Sequence, residues 1–129
     1  MQLYSWHVHL PYHIADILKD FGFDVELTQA TRDGGVDIYA YLRNEVTHQL
    51  MLVECKRWSE MKRVGLETVQ RMFGVQQSMK ANKNLIVTTS HFTKSAIEES
   101  IRYEHLMDLK DYEDLKIWLN EYAWRLTNK

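Results

Sequence analysis

Apolar positions recur along the 129-residue chain with two different periods, and the changes of period divide it into elements. From Pro11 onward, Ile14, Ile17, Leu18 and Phe21 fall on one helical face. Proline suits a first helical turn and Gly22 suits the stop. FDVELT (23–28) then alternates Phe23, Val25 and Leu27 as a strand, and TRDGG turns the chain on two glycines free to take positive φ. VDIYAYL (36–42) is the next strand, and RNEVT reads as a hairpin connection into HQLMLVECK (48–56). After the basic loop RWSEMKRVG, a helix is expected near 66–80, with Val69, Met72, Phe73 and Gln76 at helical spacing. NLIVTTS is a short apolar strand ending in hydroxyls, and Thr93 is placed to cap a helix through about Arg102. HLMDL reads as a further short strand. Asp111 then caps a final amphipathic helix carrying Tyr112, Leu115, Trp118, Leu119 and Tyr122.

The order α-β-β-β-α-β-α-β-α predicts an α/β architecture, a mixed sheet with helices on both faces. Its length and the lack of repeats or linkers are read as one domain over 1–129. No apolar run approaches membrane-spanning length, and the N-terminus lacks a basic segment followed by an apolar one. The single Cys55 cannot form an internal disulfide, so a cytoplasmic setting is expected, with no membrane partner.

The net charge of −2 conceals a pattern. Residues 1–50 carry seven acids and three bases, residues 51–94 three acids and eight bases, and residues 95–129 eight acids and five bases. A basic centre between acidic ends fits a phosphate-facing surface, and equally a chance excess of solvated lysines.

Alternation on a strand puts Glu54 and Lys56 on one face of LMLVECKR, and Val53 and Cys55 on the other. Cys55 is read as a small packed hydrophobe in preference to a catalytic thiol. By the same alternation Val36, Ile38 and Ala40 face the core, turning Asp37 outward beside Tyr39. If the two strands pair, Asp37 and Glu54 converge with Lys56 nearby. Close carboxylates repel, and a hard divalent cation relieves the repulsion while providing a bound water for attack on phosphorus. The plainer alternative is an Asp and a Glu–Lys pair on solvated strand ends.

RDGGVDIYAY (32–41) followed by LVECKRW (52–58) resembles the Mrr-type catalytic domain of the PD-(D/E)xK nuclease superfamily. The similarity continues through VGLETVQRMFGVQ, LIVTTSHFTKSAIE and LMDLKDYEDLKIWL, over about residues 12–120. It implies a three-layer restriction-endonuclease-like fold, with a central mixed sheet flanked by helices. It also implies a Mg²⁺-dependent DNA endonuclease, with Mn²⁺ able to substitute, serving restriction or phage defence. Carried over by position, Asp37 and Glu54 are metal ligands, the backbone carbonyl of Cys55 is a further ligand, and Lys56 activates the water. Asp33 lies in the part of the motif that approaches the site. Two departures stand out. Many relatives place a glutamate early in the first helix, where this chain has Pro11, Tyr12 and His13, with Asp16 the nearest acid. Relatives also tend to carry Arg-Gln where this chain reads Gln70-Arg71, and Gln70 is assigned to the catalytic set.

Arg57, Lys62, Arg63 and Arg71 flank the expected site and are assigned to DNA phosphates, with ordinary solvated surface the alternative for each. Trp58 either stacks on a base or anchors a loop. His7 and His9 would share a strand face, but no third or fourth ligand follows at a recognisable spacing, and none of the six histidines is assigned chemistry. No helix-turn-helix or zinc module is recognisable, so target choice is expected from a separate recognition domain or protein. One site cuts one strand, so double-strand cleavage calls for a homodimer or a second visit. Two other functions remain open from sequence: a nuclease-fold DNA-binding or assembly module without catalysis, and a structured-RNA nuclease.

Overall fold

The computed structural model describes residues 3–28, 34–57 and 61–128, the first six of them as backbone only. The elements are α1 (Leu3–Asp20), β1 (Asp24–Leu27), β2 (Ile38–Arg43), β3 (His48–Lys56), α2 (Leu66–Met79), β4 (Lys83–Thr88), α3 (Lys94–Arg102), β5 (Met107–Lys110) and α4 (Tyr112–Thr127). Their order is the one the apolar periodicity predicts. The five strands form one sheet in the order β1-β2-β3-β4-β5. The first three run antiparallel as a meander, and β3, β4 and β5 are mutually parallel, so the sheet is mixed.

Two cores lie on the two faces of this sheet. On one, Leu10, Ile14, Ile17 and Leu18 of α1 and Leu115 of α4 pack on Ile38, Ala40, Val53, Leu85 and Val87. On the other, Val69 and Met72 of α2 and Ala96 of α3 pack on Leu52, Ile86 and Met107. Central β3 is therefore covered on both sides, as its continuous apolar run requires. Truncating a fully buried residue such as Ile86 to alanine is expected to cost roughly 2–5 kcal/mol. A buried polar tie joins α2 to β4: Asn84 Nδ2 donates to Met72 O at 2.9 Å and to Gln76 Oε1 at 2.7 Å.

The helix caps follow the sequence closely. Thr93 accepts from Ala96 N, and Asp111 and Asp114 form a reciprocal capping box. Two expectations are corrected. The first helix begins at Leu3 and not at Pro11, and its backbone leaves helical geometry at His9 (φ −120°, ψ 33°). Pro11 lacks an N–H for the preceding turn, so it opens the second of two helical segments that meet at this kink. His7 consequently lies in the first helical segment and His9 at the kink, neither on a strand. Val36 also departs from the face of Ile38 and Ala40 and packs into the core beneath α2 and α3. It precedes β2, just after the turn made by Gly34 (φ +65°) and Gly35 (φ +91°), so the strict alternation of a strand does not extend to it. Among the described residues no helix is long and apolar enough to cross a membrane.

Candidate active site

The antiparallel register of β2 on β3 pairs Ile38 with Val53, which brings Asp37, one residue before β2, beside Glu54. The backbone holds this junction: Asp37 N donates to Val53 O at 2.8 Å, and Thr28 N donates to Asp37 O at 2.9 Å. Thr28 Oγ1 also donates to Val36 O. The Asp37 side chain continues the ladder where backbone pairing stops, its Oδ2 accepting from Cys55 N at 2.6 Å.

Glu54 is 1% exposed despite its charge. Its Oε1 accepts from Arg71 Nη2 at 2.6 Å and lies 3.9 Å from Lys56 Nζ. Its Oε2 is buried without a partner among the described residues. Lys56 shares the Glu54 face of β3, and Cys55 turns toward the α1–α4 core. Burial raises the Asp37 carboxyl above its ordinary 3.8, although the bond from Cys55 N–H and the charges of Lys56, Arg57 and Arg71 pull it back. Glu54 is likewise raised by burial above 4.5, against the opposing pull of Arg71 and Lys56. Burial, reinforced by the two neighbouring carboxylates, pushes the Cys55 thiol well up, which suits a packed and inert cysteine.

These groups line an open cleft of about 470 Å³ together with Gly34, Gly35 and Arg71. The donor set fits a hard divalent cation. Each carboxylate has one oxygen held by the protein, and the second oxygen of Glu54 is a buried acceptor with nothing to accept from. Among the described residues no third His, Cys, Asp or Glu joins the pair. Two carboxylates suffice for Mg²⁺, which retains waters and takes phosphate oxygens.

The sequence-predicted residues divide into those the fold gathers and those it does not. Asp37, Glu54, Cys55 and Lys56 meet at the cleft. Gln70 is turned away: its Nε2 donates to Glu99 Oε2 on α3, at 3.4 Å. Arg71 comes to the site in its place, paired with Glu54 instead of standing free for phosphate. Asp16 is an exposed residue of α1, near Tyr122 of α4, so no first-helix acid reaches the carboxylates. Arg57, whose charge acts on Asp37, is exposed, as are Lys62 and Arg63 further along the same loop. Asp33 and Trp58 fall outside the described residues.

The hydroxyls at the end of β4 explain how the basic loop is held. Thr88 Oγ1 and Thr89 N donate to Lys56 O at 2.9 and 3.1 Å, and Ser90 Oγ donates to Lys62 O at 2.7 Å. Both ends of the loop after β3 are thereby tied to β4. A VTTS strand end was visible in the sequence, but its partners were not.

A family model described as a restriction endonuclease, the Mrr catalytic domain, matches residues 5–119. The chain belongs to the Mrr-type restriction endonuclease family. It is 26% identical over 111 residues to the uncharacterized protein y4cE of Sinorhizobium fredii, covering 85% of this chain and 28% of that protein. It is 30% identical over 88 residues to the type IV methyl-directed restriction enzyme EcoKMrr of Escherichia coli, covering 64% of this chain and 28% of that enzyme. This Mrr-type chain thus spans little more than a quarter of the length of the curated relatives it matches. Among solved structures, the DNA modification-dependent restriction endonuclease AspBHI superposes with a TM-score of 0.73 at 19% identity, over 88% of this chain and 31% of that one. The MspJI restriction endonuclease in complex with a 27-mer oligonucleotide gives 0.60 at 20% identity, over 88% and 27%. Both show that the Mrr-type chain has the restriction-endonuclease fold.

Proposed function

We propose that this protein is a Mg²⁺-dependent DNA endonuclease, acting in restriction or phage defence. The observation that carries the proposal is the meeting of Asp37 and Glu54 on adjoining strands, with a partnerless buried oxygen on Glu54 and with Lys56 on the same face. Family membership supports a nuclease in particular, and the relatives named above as restriction enzymes support DNA as its substrate.

Asp37 and Glu54 would hold the ion, with the Cys55 carbonyl as a further ligand. When bound, the ion supplies an activated water and neutralises charge developing on the phosphate. Lys56 orients the attacking water or takes its proton. Arg57, Lys62 and Arg63 meet flanking phosphates from the tethered loop, contributing affinity without sequence choice. Target choice is assigned to a separate recognition domain or protein, and double-strand cleavage to a homodimer or a second visit.

A second reading is an assembly or DNA-binding module without catalysis, favoured by the absence of a first-helix acid at the site. Purified Asp37→Ala, Glu54→Ala and Lys56→Ala separate the two. Each is expected to stay folded and lose the wild-type cleavage; a wild type that binds DNA without cutting it favours the module, and full nicking activity in all three overturns the assignment of the site to these residues.

A further inference from the structure

We infer that Arg71 is a positioning residue for the metal site, fixing the orientation of the Glu54 carboxylate so that one of its oxygens is left to the ion; this rests on the nuclease reading above. One guanidinium serves both strands that build the site. Its Nη2 donates to Glu54 Oε1 on β3 at 2.6 Å, and its Nη1 donates to the carbonyl of Gly34, in the turn that delivers Asp37. The ion pair leaves Oε2 as the buried acceptor without a partner. Without the arginine, the terminal torsion of a glutamate is broad, so the carboxylate plane would not be held in one orientation toward the ion.

The turn is fitted to this guanidinium. A Cβ on Gly35 would lie 2.3 Å from Glu54 Oε1 and 2.4 Å from Arg71 Nη1. Gly34 is pressed against the same helix, since a Cβ there would meet Val75 Cγ2 at 3.0 Å. Two successive glycines therefore let α2, the turn and β3 close around one planar fork. A lysine at position 71 would bring the charge without two donors in fixed directions. Partners that orient a ligating carboxylate in this way are worth about 10–100-fold in metal affinity or activity.

Mn²⁺ binding to the full 129-residue chain, measured by titration calorimetry without DNA and accompanied by thermal melts, tests the assignment. Affinity is expected to fall about 10–100-fold in Arg71→Met, with Arg71→Lys failing to restore it. Equal or tighter binding in Arg71→Met overturns the assignment, because removing a cation that merely competes with the metal strengthens binding. Wild-type affinity in Arg71→Lys also overturns it, reducing the role to charge alone. Should Arg71→Met not melt cooperatively, Arg71→Lys decides the matter. A wild-type chain that binds no Mn²⁺ overturns the nuclease reading itself, a result distinct from loss in the variants alone.

Discussion

Asp37 Oδ2 accepts from the backbone N–H of Cys55 at 2.6 Å, so the carboxylate of one strand end is held by the residue between Glu54 and Lys56 of the next. Asn can keep that acceptor and Ala cannot. Asp37→Ala is therefore expected to lose about 1 kcal/mol of stability together with metal binding. Asp37→Asn is expected to keep its hydrogen bond and lose only the metal. In thermal melts, Mn²⁺ should raise the transition of the wild type and leave that of Asp37→Asn unmoved. A comparable rise in Asp37→Asn would remove Asp37 from the ligand set.

Burial raises both acidic groups above their ordinary 3.8 and 4.5, so between those values and the raised ones the folded chain holds more protons than the unfolded one. Their ionisation therefore lowers the stability of the metal-free protein as pH rises through this window. Asp37→Asn combined with Glu54→Gln removes that penalty. Its melting temperature, relative to wild type, should increase from pH 4 to pH 8 in the absence of metal. Protons also compete with the cation, so Mn²⁺ should bind more tightly as pH rises over the same range. A constant offset between the two proteins at all pH values would contradict the account.

Ser90 is fully buried and reaches Lys62 O from the end of β4, at 2.7 Å. Ser90→Ala removes that hydrogen bond and loosens the basic loop at Lys62, upstream of the backbone bonds that hold Val64. A loss of about 1–3 kcal/mol is expected in denaturant unfolding. DNA affinity should weaken while Mn²⁺ affinity in the absence of DNA stays at its wild-type value. Equal DNA affinity in the two proteins would mean that the loop does not carry phosphate contacts.

Removing Arg57, Lys62 and Arg63 tests the same surface from another side. Each residue that neutralises a phosphate should reduce the slope of log affinity against log salt by about one. A triple alanine variant with an unchanged salt slope would return these residues to ordinary solvated surface.

Most of this arrangement was legible in the sequence, for reasons that can be traced to particular residues. Local signals were reliable: Thr93 and Asp111 cap the helices they precede, and the alternation through β3 separates Glu54 and Lys56 from Val53 and Cys55. What failed depended on tertiary contact. Pro11 looks like the start of a helix because a proline at a kink and a proline at a first turn carry the same local signature. Val36 follows a turn whose two positive-φ glycines can set the chain on either face. Gln70 and Arg71 are neighbours roughly 100° apart on a helix, on opposite flanks of the buried stripe of Thr68, Val69, Met72 and Gln76. The stripe shows that the two diverge. Only the packing of α2 shows that Arg71 and Val75 flank the site while Gln70 and Phe73 face Glu99 and Tyr103 of α3 and its C-cap.

There remains the proposed metal-dependent DNA-cleaving centre of Asp37, Glu54 and Lys56. It is tested most directly by incubating supercoiled plasmid, and in parallel a structured RNA, with the wild-type chain and with Lys56→Ala, in Mg²⁺ or Mn²⁺ and in chelator. The account predicts nicking of the plasmid by the wild type in metal alone, no comparable attack on RNA, and a loss of about 10²–10⁴-fold in Lys56→Ala. Plasmid bound independently of metal but left uncut, or cut equally well by Lys56→Ala, would contradict it.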